Sequence, residues 1–190
     1  MKIILASKSL RRQELLTKIG LNYEVVVSSS EEVVDPKLSP LDNCINISFE
    51  KAKEVKEKTK GDRIIISCDT IVVKDNKIYG KPKDKEEAFN MLKLLSNTYH
   101  DVYSCLTVIK VKDNKEEIFK EQGIGTVYID SMTDMEINDW IEKGNPYDKA
   151  GGYAIQEEFG KYITETKGDF YSIVGIPLNK LYNLLKKIDF

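Results

Sequence analysis

Strand-like and helix-like patterns alternate along this chain, and that alternation restricts the fold more than any other feature. Runs rich in Ile, Val and Tyr cover residues 2–6, 23–28, 63–73, 102–111, 125–129 and 162–165. The tetrapeptide "KDNK" at 74–77 reads as a hairpin turn returning through Ile78 and Tyr79. Helical periodicity fills the gaps. Residues 42–60 carry Ile45, Phe49, Ala52 and Val55 on one face. Residues 84–95 open with Asp84 and Glu87 at capping-box spacing and bury Ala88, Met91, Leu92 and Leu95. Residues 133–143 repeat that spacing with Thr133 and Glu136, carry apolar Ile137, Trp140 and Ile141, and meet Gly144 as a stop. Pro177 opens a last helix with Leu178, Leu181, Leu184, Leu185 and Ile188. This order predicts an α/β protein with a mixed sheet covered by helices, since the hairpin near residue 75 argues against a purely parallel sheet.

Composition removes several functions. The chain has 190 residues, a net charge of −2 and a pI near 5.6, where a general nucleic-acid binder would be basic. The length suits a single domain over 1–190, or two closely packed lobes. Cys44, Cys68 and Cys105 are widely spaced and form no CxxC pair, so they read as reduced thiols. The single histidine, His100, excludes an HExxH metal site and reads as a loop residue or a packing partner for nearby tyrosines, without a catalytic role. No GxSxG, GxxxxGK[ST] or GxGxxG pattern is present. The N-terminus runs straight into a strand-like run, and no apolar stretch approaches the ~20 residues of a membrane span. A cytoplasmic protein without membrane or direct nucleic-acid partners is expected.

The chemistry begins at "LASKSLRRQELL". A strand-like run ends at Ser7, Ser9 reads as a helix N-cap, and Leu15, Leu16 and Ile19 form the buried stripe. Arg11 and Arg12 then fall in the first helical turn, which already carries about half a positive charge and unpaired N–H groups. One such arginine reads as solvated. Two in succession, flanked by serines, read as a phosphate site at the carboxyl end of a strand. Asp69, with Thr70 beside it, interrupts the apolar "IIISCDTIVV"; it is either a working carboxylate or a capping aspartate at a strand break. Glu31 and Glu32 follow the second strand as a solvated acidic pair. Lys81 sits in the rigid turn "GKPKD", and Lys51 and Lys53 lie on the second helix; each faces a cleft or solvent. In "YDKAGGYAIQ", Gly151 and Gly152 permit a close approach to a ligand or a tight turn, and the Gln156 amide suits a base edge or a plain surface loop.

Together and in this order, "LASKSLRRQELL", "EE" at 31–32, "FEKAK", "CDTIVV", "GKPKD", "LSNTYHDVYS", "YDKAGGYAIQ" and "GDFYSIVGIPL" resemble the Maf family of nucleoside triphosphate pyrophosphatases across essentially the whole chain. The resemblance implies a Maf/Ham1-like fold related to the inosine triphosphate pyrophosphatases, with a mixed sheet, flanking helices and two lobes around a cleft. It implies hydrolysis of a nucleoside triphosphate to the monophosphate and pyrophosphate with a divalent metal, Mg²⁺ or Mn²⁺. Asp69 matches the family's proposed proton acceptor. Arg11, Thr70 and Gln156 match positions tied to substrate choice, and Glu32 and Lys81 match other functional positions. "KAGGYAIQ" looks like the subfamily acting on dTTP and UTP. Leu10 stands where the family usually has proline, "SCD" replaces the commoner "GAD", and Gly152 replaces a common alanine; none of these changes removes a charged group.

On that reading Asp69 and Glu32 hold the metal, or Asp69 takes the proton directly. Arg11, Arg12, Lys51 and Lys81 clamp the phosphates, Ser7 and Ser9 add hydrogen bonds, and Thr70 and Gln156 read the base. A homodimer is allowed by the resemblance alone. Two other functions share the same pocket: a nucleotide-binding regulator of septum formation, and a pyrophosphatase for a non-pyrimidine or modified nucleotide.

Overall fold

Three consecutive isoleucines in "RIIIS" pair with the N-terminal run, as described by a computed structural model covering residues 1–188. Strand β1 (Lys2–Leu5) lies parallel to β3 (Arg63–Lys74), with Ile3 opposite Ile64, Ile4 opposite Ile65 and Leu5 opposite Ile66. Both runs are almost entirely buried, as parallel strands covered on both faces are expected to be. On its other edge β1 meets the short parallel strand β2 (Glu24–Val25). β4 (Lys77–Tyr79) returns antiparallel to β3. β5 (Thr98–Lys112) and β6 (Lys115–Ile129) are joined by two residues, and β7 (Ile163–Gly168) runs antiparallel to β6. Among the described residues these strands make one seven-stranded mixed sheet in the order β2-β1-β3-β5-β6-β7, with β4 on β3.

Both hairpins carry the same tetrapeptide. Asp75 and Asn76 have φ of 49° and 59°, and Asp113 and Asn114 have φ of 51° and 59°. Two successive left-handed residues define the turn that matches strand twist, and Asp and Asn are the non-glycine residues that tolerate it best.

The chain forms two compact units. Among the described residues the first comprises 1–69, 104–123 and 175–188, and the second 70–103 and 124–174; β3, β5 and β6 contribute to both. In the first unit, α1 (Leu10–Lys18), α2 (Pro40–Lys58) and α6 (Leu178–Lys187) accompany β1 and β2, and Ile4, Ala6, Ala52, Val55, Ile65 and Ile109 form a core cluster. In the second, α3 (Lys85–Leu95), α4 (Asp134–Gly144) and the short α5 (Phe170–Val174) accompany β4 and β7. Leu92, Leu95, Val127, Ile137, Trp140 and Phe159 belong to its core, with the Trp140 and Phe159 rings edge-on at 5.2 Å.

Several boundaries move from their sequence expectation. α2 starts at Pro40, because Ser39 caps it through Asp42 N–H and proline needs no N–H in the first turn. The expected strand at 23–28 shrinks to two residues. The charged stretch from Lys115 to Gly123 is strand, paired next to β5 although it lacks the expected apolar pattern. Gly144 does not stop α4 but ends it from within; Asn145 supplies the left-handed cap, at φ 45°. The glycine is there for packing, since a Cβ at 144 would sit 2.5 Å from the Trp140 ring. His100 is a buried β5 residue, not a loop residue, though it does pack edge-on against a tyrosine, Tyr153. Among the described residues no helix is long and apolar enough to cross a membrane.

Candidate active site

The first unit gathers seven of the sequence-predicted residues around the carboxyl end of β1. Ser9 occupies the N-cap of α1, but its side chain caps nothing, and the first turn of the helix contains no acid. The first bond of the helix runs from Gln13 N–H to Ser9 O, so the Leu10, Arg11 and Arg12 amides stand ahead of the ladder. Ser7 is buried; its Oγ accepts from Ser9 N–H at 3.2 Å and from Arg12 Nη1 at 3.2 Å. Arg12 also donates from Nε to the Gly175 carbonyl at 2.9 Å. Gly175 has φ of 141°, a backbone state that suits glycine, and this residue is what aims its carbonyl at the guanidinium. Arg12 is therefore turned inward and held by two acceptors. Arg11 is half-buried and has no hydrogen-bond partner among the described residues.

Asp69 ends the first unit's share of β3 and is only 5% exposed. Its Oδ1 lies 2.7 Å from Lys51 Nζ, itself on the buried face of α2. The same ammonium lies 2.7 Å from Oε1 of Glu32, whose side chain is partly exposed. Lys51, expected to clamp phosphate, joins the two acids. A carboxylate inside so apolar a strand requires such a partner, because an unpaired buried charge is prohibitively costly. The loop carrying Glu32 is tied to α2 a second time. Glu54 accepts from the Ser28 hydroxyl, from Ser29 N–H at 2.9 Å and from Ser30 N–H at 2.9 Å, and pairs with Lys58. These bonds, the Lys58 and Ser28 contacts foremost, hold the Glu54 carboxyl well below the usual carboxylate range.

Cys68 registers the convergence of these charges. Burial pushes its thiol up to about 12; Arg12 pulls it down, Asp69 pushes it up, and Lys51 pulls it down. Its Sγ lies 3.3 Å from the same Gly175 carbonyl that receives Arg12. Cys44 Sγ sits 3.5 Å from the Asp69 carbonyl, and its thiol is raised by its hydrogen bond with Cys105 and by burial. All three cysteines are buried free thiols.

The second unit holds Thr70, Lys81 and Gln156. Thr70 is half-buried on β3, and Lys81 and Gln156 are exposed. The turn bearing Lys81 is pinned by its predecessor: Gly151 N–H donates to the Gly80 carbonyl at 3.0 Å. Gly151 has φ of 72°, and a Cβ there would meet Val72 Cγ2 at 2.8 Å. Gly151 and Gly152 are both buried, so of the two expected uses the tight turn is the one observed.

Among the described residues no cluster of three or more His, Cys, Asp or Glu side chains is arranged to hold a metal ion. Asp69 and Glu32 are nonetheless two hard oxygen donors already converging on one cation, the ammonium of Lys51. Mg²⁺ and Mn²⁺ suit such a set, because they use one or two carboxylates and take their remaining ligands from water and phosphate. Sequence reasoning missed Gly175, whose contribution is a carbonyl and a φ angle; the only signal was its place in "VGIP".

The first unit thus holds both an inward-facing arginine at an uncapped helix start and a lysine-linked pair of carboxylates. Residues 2–188 match the family model described as Maf-like protein. The chain belongs to the Maf family. It is 46% identical over 188 residues to the dTTP/UTP pyrophosphatase of Clostridium botulinum (strain Eklund 17B / Type B), covering 98% of this chain and 99% of that one. It is 44% identical to the dTTP/UTP pyrophosphatase of Thermoanaerobacter sp. (strain X514), covering 98% and 96%. A HAM1 protein structure from Coxiella burnetii aligns over 98% of this chain and 99% of that one at 13% identity and a TM-score of 0.49, a likeness too slight to argue from.

Proposed function

We propose that this protein hydrolyses dTTP and UTP to the nucleoside monophosphate and pyrophosphate. The observation that carries this reading is the buried Lys51–Asp69 pair, linked to Glu32 and accompanied by the inward-held Arg12. The names of the curated relatives, at 44–46% identity over nearly the whole chain, support the substrate class. One family match over residues 2–188 supports treating the two units as one Maf-like domain; the last two residues of the expected 1–190 span lie outside the described residues. The soluble composition and the reduced cysteines support a cytoplasmic setting.

Asp69 supplies the carboxylate that takes a proton from the attacking water, and Lys51 holds it in place through the 2.7 Å contact to Oδ1. Arg12 and Arg11, with the amides at the start of α1, take the negative charge of the phosphates. Arg12 is fixed in advance by Ser7 and Gly175, so little reorganisation is required as charge develops. Lys81 is assigned to the leaving pyrophosphate, and Thr70 and Gln156 to the base. In the alternative in which Asp69 is a metal ligand and not the base, a divalent ion would be held by Asp69 and Glu32 and would supply charge neutralisation and water activation.

A nucleotide panel tests the proposal. Purified protein is incubated with dTTP, UTP, CTP, ATP, GTP and ITP, with Mg²⁺, with Mn²⁺ and with chelator, and the products are separated. Pyrophosphate and monophosphate from dTTP and UTP in preference to the others is the expected result. Release of inorganic phosphate with a diphosphate product, or no hydrolysis of any of the six, overturns it.

A further inference from the structure

Lys149 is a buried lysine that no step of the proposed chemistry uses. It is 4% exposed, in the loop after α4, and its ammonium has four oxygen neighbours. Nζ lies 3.0 Å from the Gly144 carbonyl, 2.8 Å from the Asn145 carbonyl, 2.8 Å from Asp148 Oδ1 and 3.4 Å from Glu157 Oε2. The first two partners are the last carbonyl of α4 and that of its left-handed cap, the negative end of the helix, where a cation is favoured. The last partner, Glu157, is the residue next to Gln156.

The chain between these two anchor points is held along its length. Gly152 N–H donates to the Lys149 carbonyl at 3.0 Å, and Trp140 Nε1 donates to the Gly152 carbonyl at 2.9 Å. Tyr153 and Ala154 are buried. A turn then closes through Glu157 N–H to the Ala154 carbonyl at 3.2 Å, and Gln156 is its exposed third residue. The near end of the turn is fixed by burial and the far end by the Glu157 carboxylate on Lys149. Only a long stem with several donors at its tip spans this arrangement, and lysine provides both.

We propose that Lys149 is a positioning residue for base selection: by tying Glu157 to the C-terminus of α4 it sets the turn that presents Gln156. This deepens the proposed function and rests on Gln156 as the base-contacting residue. A merely structural lysine would, when lost, lower stability or turnover for all nucleotides alike. A positioning lysine changes the choice among bases.

The test compares wild type with Gln156→Ala, Glu157→Gln, Lys149→Gln and the double variant Lys149→Gln/Gln156→Ala. The kcat and KM of each are measured on dTTP, UTP, ATP and GTP, alongside a melting curve. Glu157 is at the surface, so Glu157→Gln preserves the fold and decides the matter even if Lys149→Gln does not fold. The expected result is a fall of about fivefold in the pyrimidine-to-purine ratio of kcat/KM for Glu157→Gln, carried by KM. Lys149→Gln falls further toward Gln156→Ala, and the double variant is no less selective than Gln156→Ala alone. If Gln156→Ala shifts the ratio while folded Glu157→Gln and Lys149→Gln leave it unchanged, Lys149 has no positioning role. If Gln156→Ala itself leaves the ratio unchanged, the base contact is misassigned and the role of Lys149 falls with it.

Discussion

Lys51 Nζ and Asp69 Oδ1 meet at 2.7 Å, both side chains buried, although eighteen residues of sequence separate them. The lysine comes from the buried face of α2, and the aspartate from a strand whose residues are mostly buried and apolar. Each is tolerable there because of the other, and Glu32 completes the balance from a more exposed position.

Replacing Lys51 with methionine keeps the stem and removes the cation. Asp69 and Glu32 then lose the ammonium that joins them. Losing one member of a buried pair costs about 3 kcal/mol, the lower end of the usual range being appropriate because Glu32 is partly exposed. Urea denaturation at pH 7 should show that loss for Lys51→Met. Unchanged stability at pH 7 would mean that the ion pair contributes nothing to the fold.

Arg12 binds two acceptors with different nitrogens of one rigid fork, which a lysine cannot reproduce. Arg12→Lys should raise KM for dTTP about tenfold while keeping a measurable kcat, because charge is retained and placement is lost. Steady-state kinetics checks this. Equal KM values for the two proteins would indicate that placement of the guanidinium is unimportant.

His100 gives the chain a specific acid sensitivity. Its Nε2 is hydrogen-bonded to Tyr153 Oη at 2.6 Å, and burial, followed by the nearby Lys74 charge, lowers its pKa to about 3. The unfolded chain protonates this ring near pH 6.5, while the folded chain stays neutral down to about 3. The unfolded state therefore binds the extra proton between those values, and stability falls as pH drops through that window. His100 is the only histidine, so the fall between about pH 6.5 and pH 5 belongs largely to it. Denaturation midpoints measured from pH 7.5 to pH 5 should decline in wild type and lie flatter in His100→Gln. Parallel slopes would show that the ring is not held neutral.

Glu54 acts in the opposite pH range. Its carboxyl is held low by Lys58 and by the serines of the loop that leads to Glu32. A depressed carboxylate stabilises the fold above the unfolded value, near pH 4.3, and that contribution disappears as pH falls below it. Glu54→Gln should flatten the acid limb of stability below about pH 4 and loosen residues 28–30, seen as faster amide exchange at Ser29 and Ser30. Unaltered exchange at both residues would mean that Glu54 does not order the loop.

Much of the fold was readable from pattern. The strands β1 and β3 were expected from two apolar runs, though not their pairing, and the caps of α3 and α4 from Asp84–Glu87 and Thr133–Glu136. The start of β6 was hidden because Lys115, Glu116, Glu117 and Lys120 are exposed charges on a strand fixed by its hairpin partner, not by its own pattern. The second "KDNK" turn carried a usable signal, identical to the first. Of the candidate site, Arg12 and Asp69 were conspicuous as charges placed against local preference. Lys51 and Lys149 were not, since a lysine on an otherwise solvated helix or loop looks the same whether its ammonium is outside or buried on carboxylates.

Turnover by Asp69→Asn is the most direct test of the proposed centre. The substitution keeps the size of the side chain and removes its capacity to accept a proton. Pyrophosphate release from dTTP should drop by a factor of about 1,000 or more, with dTTP binding retained to within about tenfold in calorimetry. Turnover within a few-fold of wild type, in a variant of unchanged fold, would contradict a catalytic role for Asp69 and with it the centre built on Lys51.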